Sequence, residues 1–402
     1  SREVLMLRIA VRMLVGDGTK WLGVVLGVFI CTFLITHMLA MFSGMMARSY
    51  ALVTDIPQAD IWVMDPAVRY CDEPIGMADT ALSRVRGVSG VAWAVPLHTA
   101  TLRARLPSGA FQSVLLIGVD DATLIGAPER IEGRSALILR QADTAIVDHT
   151  SAHSLLRIPV ERRQRTPGYQ RLDLGGPKRA LGPGDELLIN DHRVLVAALA
   201  DLGSRFLSKP IVYTTYSRAV AIHPKERNLL SFVLVKAGRG VDPRSLCEKI
   251  TTHTGLRART AAAFCDDTYW YYVETTGVVK RIGLIVGIGV VTGVSVSSLL
   301  LYLFTNENLR YYAVLKALGA TDWVILRMIA VQALLACSTG YGLGVGVSAM
   351  VGTLVKSDAM PYRLLPFTMI FGIVAVTFVG IFSAFLSGQR LFRLETGEVF
   401  KT

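Results

Sequence analysis

The sequence predicts an α-helical membrane protein with four transmembrane helices and a large α+β extracytoplasmic domain inserted between the first and second helices. Three observations lead to this fold class. The 402 residues are 52% hydrophobic and only 18% charged, which is too apolar for a soluble chain of this length. Stretches without charged residues, long enough to cross about 30 Å of hydrocarbon, occur toward both ends of the chain. The middle of the chain has the composition of a soluble domain.

The first two elements belong to the amino-terminal membrane region. Over residues 1–20, Arg2, Arg8 and Arg12 alternate with apolar residues near helical spacing, which predicts a cytoplasmic interfacial amphipathic helix. Residues 21–46 contain no Asp, Glu, Lys or Arg and predict transmembrane helix 1. This stretch is too long for a signal-peptide core and has no small-residue cleavage site after it, so we expect it to be an anchor.

Residues 47–277 are expected to form one periplasmic α+β domain. Short runs with strand character and segments with helical periodicity alternate along it. The predicted strands are 59–64, 114–119, 145–147, 187–189, 194–199 and 231–235, and the predicted helices are 77–86 and 243–254. The stretch 157–185 is rich in Arg, Gly and Pro and reads either as a solvated linker or as a docking loop for a partner. A disulfide between Cys247 and Cys265 would be compatible with an oxidising compartment.

The remaining membrane elements follow the domain without a long interruption. Their predicted order is transmembrane helix 2 over 278–304, a cytoplasmic coupling helix over 305–322, transmembrane helix 3 over 323–355, a short periplasmic loop over 356–363, transmembrane helix 4 over 364–387 and a cytoplasmic tail over 388–402. Basic residues before the first span, between the second and third, and after the last predict cytoplasmic termini. We therefore expect a multi-pass protein of the bacterial inner membrane.

Two residue patterns around these spans predict helix packing. Gly340, Gly342, Gly344 and Gly346 form a ridge of small residues that suits close helix contact, within the subunit or across a dimer. The run 269–272 contains three tyrosines and a tryptophan. It predicts either an aromatic belt at the level of the lipid headgroups or a stalk helix whose rings pack against its neighbour.

The loop between the second and third spans carries the most informative motif. Val314, Leu315 and Leu318 give its short helix an apolar face, and Gly319 is suited to a left-handed helix end. Thr321 or Asp322 can cap the following helix. A rigid helix held between two spans can press into a groove on a soluble partner and pass its motion to both spans.

This motif resembles that of the MacB/FtsX-like ABC transporter permeases, whose second cytoplasmic loop carries a phrase similar to E-x-x-x-L-K-A-L-G. The matching residues are Leu315, Lys316, Ala317, Leu318 and Gly319. Further phrases at 59–62, 269–270 and 395–400 make the DevC-like exporter permeases the branch that looks most similar. The chain departs from the pattern at Tyr311, where the family usually has an acidic residue that Glu307 could replace one turn earlier.

The resemblance implies a permease that transmits mechanical motion during efflux of a lipid-like or amphipathic substrate. The implied partners are a dimer of ABC ATPase subunits, a second copy of the permease, a periplasmic membrane-fusion adaptor with an outer-membrane channel, and membrane lipids. The residues expected to contact the ATPase are Glu307, Arg310, Tyr311, Leu315, Lys316, Ala317, Leu318 and Gly319. Two alternatives share this architecture: a mechanotransmitting regulator of a cell-wall hydrolase or sensor kinase, and a lipoprotein-release permease.

Catalysis is not expected in this chain. The phosphate-binding pattern G-x-x-x-x-G-K-[ST] is absent from it, so ATP and Mg²⁺ are expected on the partner ATPase and no cofactor or metal is expected here. No G-x-S-x-G elbow indicates a hydrolase. The net charge of +11 is scattered along the chain rather than concentrated in a stripe, which argues against nucleic acid and favours a basic protein facing anionic lipid.

Overall fold

The computed structural model describes residues 18–160, 177–202, 205–206, 209–223, 230–355 and 361–392. The chain divides into two compact units, one formed by Ser1–Met45 with Thr276–Thr402 and the other by Met46–Thr275. We call them the membrane unit and the external unit. Most of the predicted interfacial helix, residues 161–176 of the Arg-rich stretch, residues 356–360 of the short loop and residues 393–402 of the tail lie outside the described residues.

Helices and strands are numbered in chain order. The helices are α1 (Gly18–Ser49), α2 (Ala51–Thr54), α3 (Thr80–Arg86), α4 (His149–His153), α5 (Tyr216–Ile222), α6 (Pro243–Thr254), α7 (Ala261–Thr275), α8 (Val278–Glu307), α9 (Leu309–Ala317), α10 (Asp322–Leu354) and α11 (Pro366–Phe392), with one 3₁₀ helix at Ala136–Arg140. The strands are β1 (Ile61–Met64), β2 (Val91–Arg105), β3 (Phe111–Val119), β4 (Thr144–Asp148), β5 (Ile158–Pro159), β6 (Lys178–Arg179), β7 (Glu186–Ile189), β8 (His192–Ala200), β9 (Ile211–Thr215), β10 (Phe232–Ala237) and β11 (Arg257–Thr260).

The predicted fold class is confirmed. Four described helices are long and apolar enough to cross a membrane: Trp21–Ser49, Val278–Glu307, Asp322–Leu354 and Pro366–Ser387, with mean hydropathy between 1.5 and 2.5. The external unit between the first and second of these helices mixes helices with a nine-stranded sheet in the order β11-β1-β10-β2-β3-β9-β4-β8-β7. Most neighbouring strands are antiparallel, while β3 with β9 and β4 with β8 are parallel.

Local signals account for α6, which has the bounds predicted from the sequence. The Asp242 carboxylate accepts the backbone N–H of Ser245 at 3.0 Å and so caps the helix. Pro243 stands at the start, where its missing N–H costs nothing, and Gly255 ends the helix at φ +68°. The sequence did not predict β2, because its central residues are buried on both faces and show no alternation of polar and apolar residues.

The core of the external unit forms around an aromatic cluster. Trp62 is fully buried, and its ring centroid lies 5.3 Å from that of Phe232 and 5.8 Å from that of Phe264. All five cysteines of the chain are unpaired thiols, so the disulfide considered between Cys247 and Cys265 is not formed in this structure. Burial, the largest influence on each, raises the pKa of both thiols to about 11, which keeps them protonated and poorly nucleophilic.

The glycine ridge of α10 is divided between two faces. A Cβ atom added at Gly340 would lie 2.8 Å from the Val28 Cβ, and one at Gly344 would lie 2.7 Å from the Thr32 Cβ, so these glycines let α1 approach α10 closely. Gly342 and Gly346 have nothing within 4 Å of the same position. The contact within the subunit therefore uses only every second glycine of the ridge, Gly340 and Gly344.

This division predicts opposite outcomes for two matched substitutions. We expect Gly344→Leu to lower the free energy of unfolding by about 1–3 kcal/mol, because the new side chain meets α1, including the Phe29 backbone oxygen at 3.1 Å from its Cβ. The control Gly346→Leu should leave stability within about 0.5 kcal/mol of the unaltered protein. Thermal unfolding in a mild detergent measures both, and equal losses would contradict the assigned packing.

Candidate functional site

The candidate site is α9 with the turns at its two ends. Asn308 separates α8 from α9 because its backbone leaves the helical region at φ −90° and ψ 8°, and its side-chain amide donates to the Phe304 carbonyl at 2.8 Å. The helix comprises Leu309–Ala317, a shorter segment than the 305–322 region predicted to contain it. Glu307 is the last residue of α8, whereas Tyr311 lies in α9. A replacement of the family's acidic residue by Glu307, one turn before Tyr311, would require both residues to lie in one helix, and they do not.

Gly319 ends α9 in a Schellman motif. Its N–H donates to the Lys316 carbonyl at 3.0 Å, and the N–H of Ala320 donates to the Leu315 carbonyl at 3.0 Å. This pattern requires a left-handed residue, and Gly319 supplies φ +92°, as its predicted role demands. Thr321 then takes the extended N-cap position of α10 without a side-chain cap hydrogen bond.

Tyr312 anchors α9 to the membrane unit. Its side chain is fully buried among apolar residues that include Leu301 of α8 and Ile325 and Ile329 of α10. The Tyr312 hydroxyl donates to the Gln332 side-chain oxygen at 3.2 Å. Burial raises the pKa of Tyr312 to about 12, with the Gln332 hydrogen bond acting in the opposite direction, so the hydroxyl remains a donor at neutral pH. The helix is thereby tied to both neighbouring spans.

An ion pair links the carboxy-terminal end of α9 to the start of α10. The Lys316 Nζ lies 2.8 Å from the Asp322 Oδ1 at the first residue of α10. A partly exposed pair of this kind contributes only about 0–1 kcal/mol to stability. The Lys316 ammonium group therefore already has an ion-pair partner within the chain.

The outward face of α9 is an apolar ridge. Tyr311, Val314 and Leu318 follow one another at helical spacing and are 64%, 45% and 78% exposed. Trp323, in the first turn of α10, is 73% exposed. We call these four residues the docking ridge. Exposed aromatic and aliphatic side chains are typical of protein contact surfaces.

The structure separates the predicted contact residues into two groups. Glu307, Arg310, Tyr311, Ala317, Leu318 and Gly319 are exposed, whereas Leu315 and Lys316 are half-buried. The predicted apolar face is divided, because Leu315 packs inward while Val314 and Leu318 point outward. Sequence reasoning missed Tyr312 as the anchor and Trp323 as part of the ridge. Only the position of Trp323 directly after the predicted capping pair could have indicated it.

The aromatic run before the second span packs within the external unit. The Tyr272 hydroxyl donates to the Asp72 Oδ2 at 2.7 Å, and the Tyr271 ring stacks on Tyr70 with centroids 4.0 Å apart. Trp270 is 58% exposed. Two of the four rings therefore hold α7 against the segment around residue 70. Of the two predicted roles, an aromatic belt or packing against a neighbouring segment, these two rings have the second.

Comparison with known proteins identifies the carboxy-terminal part of the chain. Residues 283–396 match the family model described as FtsX-like permease C-terminal. No curated protein matches the chain. The match covers α9 and most of the last three spans, and it confirms the resemblance expected from the coupling motif, although it does not test the closer likeness to DevC-like permeases.

Three of the solved structures that resemble this chain each match about half of it. The extracellular domain of the noncanonic ABC-type transporter YknZ from Gram-positive bacteria is 13% identical, covering 50% of this chain and 98% of its own, with a TM-score of 0.32. The periplasmic region of MacB from Actinobacillus actinomycetemcomitans is 11% identical, covering 56% and 96%, with a TM-score of 0.35. A domain of a putative permease from Porphyromonas gingivalis is 13% identical, covering 50% and 88%, with a TM-score of 0.31.

Proposed function

We propose that this chain, an ABC-type permease whose residues 283–396 are FtsX-like, is the transmembrane subunit of an exporter driven by a separate ATPase. The ATPase binds ATP and Mg²⁺, and its movements reach the membrane unit through α9. The external unit changes conformation in response and moves a lipid-like or amphipathic substrate outward. A membrane-fusion adaptor and an outer-membrane channel complete the path, and the subunit lies in the inner membrane with both termini in the cytoplasm.

One observation carries the coupling role. The same nine-residue helix, Leu309–Ala317, buries Tyr312 between the flanking spans and exposes Tyr311 beside it. A force applied to the outer side of α9 is therefore transmitted to α8 and α10, because interiors are close-packed and compress little. A mobile loop in the same place would absorb the movement.

Exposed apolar side chains on α8 support the assembly of two copies of the permease. In the most apolar stretch of the span Val278–Glu307, only 28% of the residues are buried within the protein, compared with 50% in the span Trp21–Ser49. Its exposed side includes Ile288, Val291 and Leu299, each more than half exposed. We propose that part of this side contacts a second copy of the permease and that the rest contacts lipid.

Purification of the tagged full chain from native membranes tests the proposal. We expect a chain with a phosphate-binding G-x-x-x-x-G-K-[ST] motif to co-purify, and its ATPase activity to depend on the permease. In Gly319→Pro the ATPase should be lost, because proline cannot adopt φ +92° and has no N–H for the Lys316 carbonyl.

The matched control is Gly240→Pro, which places the same substitution at a left-handed glycine of the external unit, φ +77°. It should retain the ATPase. Recovery of a cell-wall hydrolase or a sensor kinase without transport would instead support the regulatory alternative. Recovery of no ATPase from the unaltered protein would overturn the proposal.

A further inference from the structure

In the part of the external unit that the structure describes, one face of the sheet is open where β2, β3, β7 and β8 meet. The opposite face is packed, because Ala104, Val114, Leu187 and Val194 are buried in one cluster. Since side chains alternate across a strand, the neighbours of these residues point outward. The open face is therefore defined by strand register.

The register places four exposed side chains in one row. Arg105 pairs with Phe111 of β3 on one side and with Leu188 of β7 on the other, and Leu188 pairs with Arg193 of β8. The row crosses three strand spacings of about 4.8 Å each, roughly 14 Å in total. Gly109, at φ +80° in the β2–β3 turn, allows the hairpin that brings Phe111 opposite Arg105. We call this row, together with Arg103, the arginine face.

The arginine face combines free cations with exposed apolar side chains. Phe111 is 64% exposed, and the guanidinium carbon of Arg103 lies 5.9 Å from its ring centroid. Among the described residues, Arg103 and Arg105 have no ion pair. Lys209 adds a third cation beside them, donating to the Thr101 hydroxyl at 3.2 Å.

Among the described residues, acidic groups act on Arg193 at the end of this row, namely Glu186 and Asp143. Glu186 lies two residues before Leu188 and forms an ion pair with Arg193. Arg103 and Arg105 therefore leave an excess of positive charge next to Phe111 and Leu188, whereas Lys209 lies within electrostatic range of the Asp72 carboxylate. An arginine pair suits the oxygens of a phosphate group, because guanidinium groups donate in a planar fork.

The size of the face favours a small amphiphile over a protein. A stable protein interface buries about 800 Å² on each partner around an apolar core. Phe111 and Leu188, 64% and 36% exposed, are too few for such a core. They are sufficient to cover part of one acyl chain, since each buried methylene contributes about 0.8 kcal/mol.

We propose that the arginine face binds an anionic amphiphile, with its phosphate oxygens held by Arg103 and Arg105 and its apolar chain lying against Phe111 and Leu188. This inference rests on the proposed function, in which the substrate is lipid-like or amphipathic, and it adds that the substrate carries an acidic headgroup. The site holds the substrate in the external unit.

A fluorescent reporter on the full chain in nonionic detergent tests this site. Ser113 is exposed and lies opposite Arg103, so acrylodan on Ser113→Cys, in a Cys265→Ser background, reports on the face. The other four native cysteines are buried. The probes are dioctanoyl phosphatidylglycerol and its zwitterionic counterpart, dioctanoyl phosphatidylcholine. We expect a saturable blue shift with the former and at least tenfold weaker binding of the latter.

Variants locate the response. Arg103→Gln with Arg105→Gln should weaken phosphatidylglycerol binding at least tenfold, because hydrogen bonds to charged groups contribute about 1.5–3 kcal/mol each. The control Arg239→Gln with Arg244→Gln removes the same charge from exposed positions elsewhere in the unit and should leave binding unchanged.

Equal binding of the two lipids, or unchanged binding in the Arg103/Arg105 variant, would overturn the proposal. A blue shift with polyglutamate but not with phosphatidylglycerol would also overturn it and assign the face to an acidic protein. None of these measurements involves the ATPase, so a negative result here leaves the co-purification test of the proposed function unaffected, and the converse also holds.

Discussion

Replacing Leu318 and Trp323 together by aspartate is expected to weaken binding of the partner ATPase at least about 100-fold while leaving the permease folded. Both side chains are more than 70% exposed, so their removal costs the isolated permease little. In the complex they would be the apolar anchors of the docking ridge. Two buried carboxylates would add a desolvation penalty on top of the lost contacts.

The measurement is the affinity of the purified ATPase for the permease in nanodiscs, together with permease-dependent ATP hydrolysis. Leu137→Asp is the matched control, because Leu137 is 57% exposed in the external unit, and it should bind the ATPase normally. Thermal unfolding of all variants verifies that they are folded. Unchanged ATPase affinity in the Leu318/Trp323 variant would show that the ridge is not the docking surface.

Replacing Arg205 by methionine is expected to lower the free energy of unfolding of the external unit by about 3–5 kcal/mol at neutral pH. Arg205 is 3% exposed, and its Nη1 lies 2.9 Å from the Asp55 Oδ2. Burial, the largest influence, raises the pKa of Asp55, while Arg205 opposes that rise. Without the guanidinium, a largely buried carboxylate is left without its cation.

The sign of the pH dependence follows from this environment. A carboxyl group whose pKa is raised by folding binds its proton more tightly in the folded state, so its contribution to stability falls as pH rises through that pKa. The loss of unfolding free energy in Arg205→Met should therefore be greatest at neutral pH and become smaller as acidification protonates Asp55. Chemical unfolding followed at several pH values measures this trend.

Two controls define the origin of the Arg205 effect. Adding Asp55→Asn to Arg205→Met should recover part of the lost stability, because the uncompensated charge is removed. Arg193→Met breaks an exposed ion pair with Glu186 and should cost about 0–1 kcal/mol. A loss in Arg205→Met that does not change with pH would contradict the assigned role of Asp55.

Local and long-range information contributed differently to the coupling site. The turn after α9 was predictable because Gly319 is suited to the left-handed conformation that a Schellman motif requires. The inward and outward faces of α9 were not, since Tyr311 and Tyr312 are chemically identical neighbours. Only the packing of Tyr312 against α8 and α10, with Gln332 twenty residues later, distinguishes them.

The sequence by itself determined the four spans, the position of the external domain and the capped helix α6, because hydropathy, length and cap residues act over one helix. The tertiary structure decided which glycines of α10 contact α1, where Arg205 is buried and which residues form the arginine face. These features depend on contacts between segments far apart in the chain. The pattern of one segment does not specify the register and packing of its neighbours.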